Sequence, residues 1–229
     1  MTRPALRRSL RTGAAVSGAG LVLLVSCGLI ARSGEVSPAE GAVFRFMNEL
    51  PDWLYRPMWV FQQFGNIVVA FLLVLGLAAV LRRPRLAAAA VLAVIAKLGL
   101  ERVVKMVVER RRPGTSVGGI VVRGQVDQHG LSFVSGHATI TTAFAVALMA
   151  VLPRRWKPVP WVVVALNGLA RIYVGAHNPL DVVGGAGLGM FLGGALYALV
   201  AAGRRGPVEE PVTPAATPMP EACGQSVTE

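Results

Sequence analysis

Apolar and polar positions fall in long blocks along this chain, not in the alternation that marks a strand. Apolar runs cover about residues 13–31, 58–81, 86–104, 136–152, 158–174 and 179–202. Runs of about 18 or more apolar residues have the length of a transmembrane helix. The pattern therefore predicts an all-α polytopic membrane protein, a six-transmembrane-helix bundle. Between the first two runs, residues 32–57 carry Pro38, Pro51, Trp53, Tyr55 and Arg56, aromatics suited to the membrane–water interface. The third run is interrupted by Lys97, Glu101 and, just past its end, Lys105. Their spacing of four places all three on one helix face, which should look inward because charges at membrane depth are costly. A glycine-rich loop from Pro113 to about Leu131 holds Arg123, Asp127 and His129. Asn178-Pro179 reads as the start of the sixth helix, with Asn178 as N-cap and Pro179 at the first helical position. The glycines of that helix, Gly184 to Gly194, allow close helix packing. Residues 206–229 are rich in proline, threonine and glutamate without apolar period, and are expected to be disordered.

Composition sharpens this picture. Of 229 residues, 54% are hydrophobic and 15% charged, too apolar for an ordinary soluble domain. The net charge of +11 would suggest nucleic acid in a soluble protein. Here the cations sit mostly in short loops, where they orient the chain in a bilayer, and no nucleic-acid partner is expected. Residues 1–12, Arg82 to Arg85, Arg154 to Lys157 and Arg204-Arg205 alternate with the other loops, which predicts two cytoplasmic termini. Residues 1–12 form a basic cytoplasmic start, 13–205 the membrane domain and 206–229 a cytoplasmic tail. The first run is long enough to remain as a span; Leu24-Val25-Ser26-Cys27 resembles a lipoprotein cleavage site, but the apolar run continues past the cysteine. Cys27 and Cys223 lie in unlike surroundings and suggest neither a disulfide nor a metal site. Arg110-Arg111-Arg112 breaks the charge rule by falling on the outer side, and anion binding gives it a reason to exist.

Three polar clusters then converge at the outer ends of spans three to six. In the first, Lys105 and Arg112 are seven residues apart, close to two helical turns, so one face of a continued helix would present both until Pro113 stops it. An arginine and a lysine aimed at one point suit a phosphate, the first bidentate and the second as a point charge. In the second, Ser135-Gly136-His137 opens a helix, where backbone N–H groups and the dipole favour an anion. His137 is of the type that protonates a leaving oxygen near neutral pH. The third holds Arg171, His177 and Asp181, where the carboxylate can accept from one ring nitrogen and leave the other bare as a nucleophile. His137, His177 and Asp181 also resemble metal ligands, but Lys105, Arg112 and Arg171 set three positive charges beside them, a field that opposes a cation.

Lys105-x6-Arg112-Pro113, Val134-Ser135-Gly136-His137 and Ala170-Arg171-x5-His177-x3-Asp181 together resemble the signature of the type 2 phosphatidic acid phosphatase superfamily. Its motifs are K-x6-R-P, P-S-G-H and S-R-x5-H-x3-D, and it includes lipid phosphate phosphatases, bacterial acid phosphatases and vanadium haloperoxidases. The match spans residues 105–181, about a third of the chain, with order and spacing intact. Val134 stands for the family proline and Ala170 for the family serine; neither change removes a charge or a histidine. The resemblance implies that His177 attacks phosphorus with Asp181 in support, and that His137 protonates the leaving oxygen. It implies that Lys105, Arg112, Ser135, Gly136 and Arg171 hold the phosphoryl oxygens, without metal or organic cofactor. His129 matches no family position.

The expected reaction is hydrolysis of a lipid phosphate at the outer face of a bacterial cell membrane. Arg110 and Arg111 add charge beyond the need of one phosphate, which favours a polyprenyl diphosphate such as undecaprenyl diphosphate, converted to its monophosphate. Phosphatidate and phosphatidylglycerophosphate are the alternatives. An anion-handling transporter is the non-enzyme alternative, which would need no paired histidines at these spacings.

Overall fold

The structure, a computed structural model, describes residues 3–202. Among these residues it contains nine α-helices and no strand. They are α1 (Arg3–Ala31), α2 (Pro38–Asn48), α3 (Tyr55–Gln63), α4 (Ile67–Val80), α5 (Pro84–Val108), α6 (Pro113–Ser116), α7 (Gly136–Leu148), α8 (Pro158–Tyr173) and α9 (Pro179–Ala201). By length and composition α1 and α9 can each cross a membrane, and α3 with α4 could form a third, bent crossing. Arg204-Arg205 and the tail 206–229 lie outside the described residues.

α9 is the centre of the bundle, with α1 against one side and α7 against the other. Glycine makes both approaches possible. A Cβ at Gly194 would collide with the carbonyl oxygen of Gly13, and one at Gly189 would stand 2.5 Å from that of Thr139. Small residues let backbones meet where lipid offers no hydrophobic drive to associate. α4, α5, α7 and α9 enclose an apolar core of Val74, Leu86, Ile140, Phe144 and Leu196. The outward faces remain apolar, with Leu72, Ile95, Val103 and Val107 each half or more exposed. That exterior suits hydrocarbon better than water.

Two expected elements differ in form. The run over residues 58–81 is not one helix: α3 and α4 meet at 57°. Asn66 accepts from the N–H groups of Val68 and Val69 and so starts α4 anew. Gly65, at the break, packs so closely on His137 that a Cβ would lie 2.7 Å from it. The connection 32–57 also folds, forming α2 with Ser37 as its N-cap. It buries Glu40, Phe44 and Asn48.

The loop between α6 and α7 is tied down by Arg123. Its guanidinium donates to Asp52, to the carbonyls of Asn48 and Leu50, and to that of Tyr173, whose ring it also covers at 4.2 Å. The loop is thereby fastened to the ends of α2 and α8, over the polar end of the bundle.

Candidate active site

The three polar clusters do meet. Ser135 donates its N–H to the carbonyl of Asp181 at 2.9 Å, joining the start of α7 to the start of α9. Arg112 donates to the carbonyl of Ala176 at 3.1 Å, joining the first cluster to the third. Ser135 caps α7, and the His177–Asp181 pair spans the α9 start, where Pro179 takes the first position as expected.

Lys105 and Arg112, however, do not project from one continuous helix. α5 ends at Val108, and Glu109 takes a left-handed conformation (φ 50°) that turns the chain. Arg112 follows in extended backbone as the N-cap of α6. The turn has a physical reason, for it sends Arg110 into the interior. Arg110 is wholly buried, and its guanidinium donates to both carboxylate oxygens of Glu40 (2.9 and 2.6 Å) and to Oδ1 of Asp181 (3.1 Å). Burial works against the Arg110 charge, but the hydrogen bonds of Glu40 and the charges of Asp181 and Glu40 outweigh it and hold its pKa above the ordinary value. The expectation that Arg110 is spare charge for a second phosphate is corrected: it is committed to two carboxylates. Arg111 is exposed.

The His177–Asp181 contact is also less direct than the spacing suggests. Nδ1 of His177 lies 3.7 Å from Oδ2 of Asp181, too far for a hydrogen bond. The hydroxyl of Ser132 stands between them, donating to Oδ2 of Asp181 and lying 3.3 Å from Nδ1 of His177. Asp181 Oδ2 also accepts from the N–H of Asn178 at 2.8 Å. A carboxylate only accepts, so the Ser132 proton points to Asp181 and its oxygen offers a lone pair to the imidazole. That arrangement requires the proton on Nδ1 and leaves the free lone pair on Nε2. Burial lowers the pKa of His177 to about 4 against the pull of Asp181, so the ring is neutral at ordinary pH.

Glu40, Arg110, Asp181, Ser132 and His177 thus form one buried chain of polar contacts. Ser132 was within reach of sequence reasoning, being part of the same polar step as Ser135. Glu40 was not: it lies 70 residues from Arg110, in a connection with no chemical motif.

Lys105, Arg112, His137 and Arg171 line two openings. One, of about 700 Å³, is bordered by Lys97, Glu101, Arg102, Lys105, Arg112 and His129. There Glu101 pairs with Lys97 at 2.6 Å and Lys105 at 2.7 Å, so the expected charged face of α5 is formed. The other, of about 510 Å³, is bordered by His137, Arg171, Trp59, Gln62, Gln63 and Asn66. Arg171 donates to Oε1 of Gln62 at 2.6 Å, a partner that sequence reasoning missed. Nε of Arg112 and Nε of Arg171 are buried without a hydrogen-bond partner. Each opening thus carries a guanidinium with an unused donor, the equipment for an oxyanion.

Comparison with known proteins bears on family and fold. The sequence model of the PAP2 superfamily matches residues 86–205, more than half of the chain. LpxE of Aquifex aeolicus is similar in structure with a TM-score of 0.61 and 25% identity, over 68% of this chain and 92% of that one. The first transmembrane PAP2-type phosphatidylglycerolphosphate phosphatase from Bacillus subtilis aligns with a TM-score of 0.63 and 20% identity, over 80% and 98%.

Proposed function

The chain belongs to the PAP2 superfamily, and on that premise we propose that it is a metal-independent membrane lipid phosphatase working through a phosphohistidine at His177. The observation that carries this reading is the Ser132 hydroxyl set between Asp181 and Nδ1 of His177, because it presents Nε2 as the nucleophile. In the first step Nε2 attacks phosphorus and the bond to the leaving oxygen breaks. His137 gives that oxygen its proton. In the second step water attacks the phosphohistidine, with His137 taking the water's proton, and inorganic phosphate leaves. Lys105, Arg112, Ser135, the Gly136 N–H and Arg171 hold the phosphoryl oxygens as charge redistributes. As the histidine ring becomes positive, the Asp181 carboxylate stabilises it through Ser132. Arg110 and Glu40 keep that carboxylate in place.

Arg102, Lys105 and Arg112 border one cleft, where Lys97 is held by Glu101, and supply the surplus charge that Arg110 does not. That supports a polyprenyl diphosphate such as undecaprenyl diphosphate as substrate. A phosphatidylglycerophosphate-type monoester is the second reading, favoured by the similarity to the Bacillus subtilis phosphatase. In this proposal α1, bent α3–α4, α5, α7, α8 and α9 are the six spans of a bacterial plasma-membrane protein. Its termini face the cytoplasm and the site faces outward. The test is phosphate release by purified protein from equal detergent-dispersed pools of polyprenyl diphosphate and phosphatidylglycerophosphate. Faster release from the diphosphate is the expected result. Faster release from the monoester removes the diphosphate substrate, and release from neither overturns the phosphatase reading.

A further inference from the structure

The carboxylate of Glu101 sits where an anion belongs. Its two oxygens lie 2.6 and 2.8 Å from the place a Cβ would occupy on Gly136, the first residue of α7. One oxygen is 2.7 Å from Nζ of Lys105 and the other 2.6 Å from Nζ of Lys97. The group therefore covers a helix start, where the dipole is positive, and neutralises the lysine meant for phosphate. Glycine at 136 is what makes room for it.

A structural role alone accounts poorly for this placement. A single lysine four residues away would satisfy a partly buried glutamate on α5. Glu101 has two, of which only Lys105 belongs to the phosphate cluster. If the carboxylate leaves Lys105, it keeps Lys97.

Resting on the phosphatase reading above, we infer that Glu101 is an anion-screening residue: an incoming anion must displace its carboxylate from Lys105 and Gly136, so a singly charged phosphodiester gains nothing by entering while a terminal phosphate still does. The physical basis is the charge exchanged. A phosphodiester headgroup carries one negative charge, the same as the carboxylate it replaces, so the exchange gains no charge in the cleft. A terminal phosphate carries about −1.5 to −2 at pH 7 and gains up to one further charge against Lys105, Arg112 and Arg171. Anionic phosphodiester lipids surround such a protein. Without a resident competitor, they would occupy a cleft this cationic.

The test uses the full-length protein in mixed micelles with a short-chain phosphatidic acid as substrate. Inhibition constants are measured for phosphatidylglycerol, a singly charged diester, and for inorganic phosphate. Glu101→Gln should lower the constants for phosphatidylglycerol and for inorganic phosphate alike, each by about tenfold or more, so that the diester inhibits at concentrations the wild type ignores. Glu101→Asp, which retains the charge, should keep both constants near the wild-type values. An unchanged constant for phosphatidylglycerol overturns the inference. A folded Glu101→Gln protein without turnover also overturns it, because a residue that only screens anions is dispensable for chemistry. Should Glu101→Gln not fold, Lys97→Met supplies the reading. With Lys97 gone the carboxylate depends on Lys105 alone, so KM should rise several-fold with kcat little changed, and an unaltered KM contradicts the displacement. Failure of the wild-type protein to release phosphate at all counts against the phosphatase reading instead.

Discussion

At the residue scale, the account turns on the protonation of two histidines and on Ser132. His137→Ala should lower kcat by about 100- to 10,000-fold, the usual range for a lost general acid–base group, read from initial rates. Ser132→Ala should lower kcat by about tenfold or more with little change in KM, because it frees the imidazole to rotate without touching substrate. Ser132→Thr, which keeps the hydroxyl, should recover most of that loss; equal damage in both variants would argue for packing instead. His177 has a definite pH signature. Its folded pKa of about 4 lies below the 6.5 of an exposed imidazole, so the unfolded chain binds the proton first. The contribution of His177 to stability is full above about pH 6.5 and is lost as pH falls towards 4. In ¹⁵N-histidine NMR its ring should therefore still be neutral at pH 5.5, with the proton on Nδ1. A charged ring at that pH would contradict the burial.

At the scale of elements, α2 is the part that sequence reasoning undervalued. The stretch 32–57 was legible as an interfacial connection from its prolines and aromatics, and Trp53 is indeed largely exposed. Its helix was hidden because Glu40 has meaning only once Arg110 turns inward. Breaking a buried pair by removing one partner typically costs about 3–5 kcal/mol. Glu40→Ala should therefore destabilise the protein by about that amount, measured as loss of thermal stability in detergent, and reduce kcat through Asp181. An unchanged melting temperature would mean that the pair is not buried. The end of α5 teaches the same point in reverse. Seven residues from Lys105 to Arg112 matched two helical turns, yet Glu109 reversed the chain because the buried carboxylates needed Arg110 more than the helix needed another turn. Spacing along a helix was reliable where no tertiary demand competed, as in the Lys97–Glu101–Lys105 face.

For the whole molecule, block hydropathy was enough to announce an all-helical membrane protein, and the helix starts at Ser135 and Asn178 were readable from cap chemistry. The sites of close packing were readable only as a tendency. Glycines crowd the sixth run, but nothing in their order says that Gly194 meets Gly13 on α1 or that Gly189 meets α7. A valine at Gly194 should force α1 from α9 and cost about 1–3 kcal/mol of stability, as overpacking does. Orientation is a property of the whole chain and is tested as one. In a background with Cys27 and Cys223 changed to serine, Val122→Cys should react with a membrane-impermeant thiol reagent in intact cells, and Arg155→Cys should not. Both positions are exposed, so the comparison reads the side of the membrane. The opposite pattern would reverse the topology inferred from charge.

The catalytic expectations depend on one covalent event at Nε2 of His177. The direct measurement is to quench the purified enzyme during turnover of a ³²P-labelled lipid phosphate and to find where the label sits. The account predicts an acid-labile, alkali-stable phosphoenzyme that maps to His177, forms within one turnover and is absent from His177→Ala. Steady turnover by the His177→Ala protein, or label on any other residue, would contradict it.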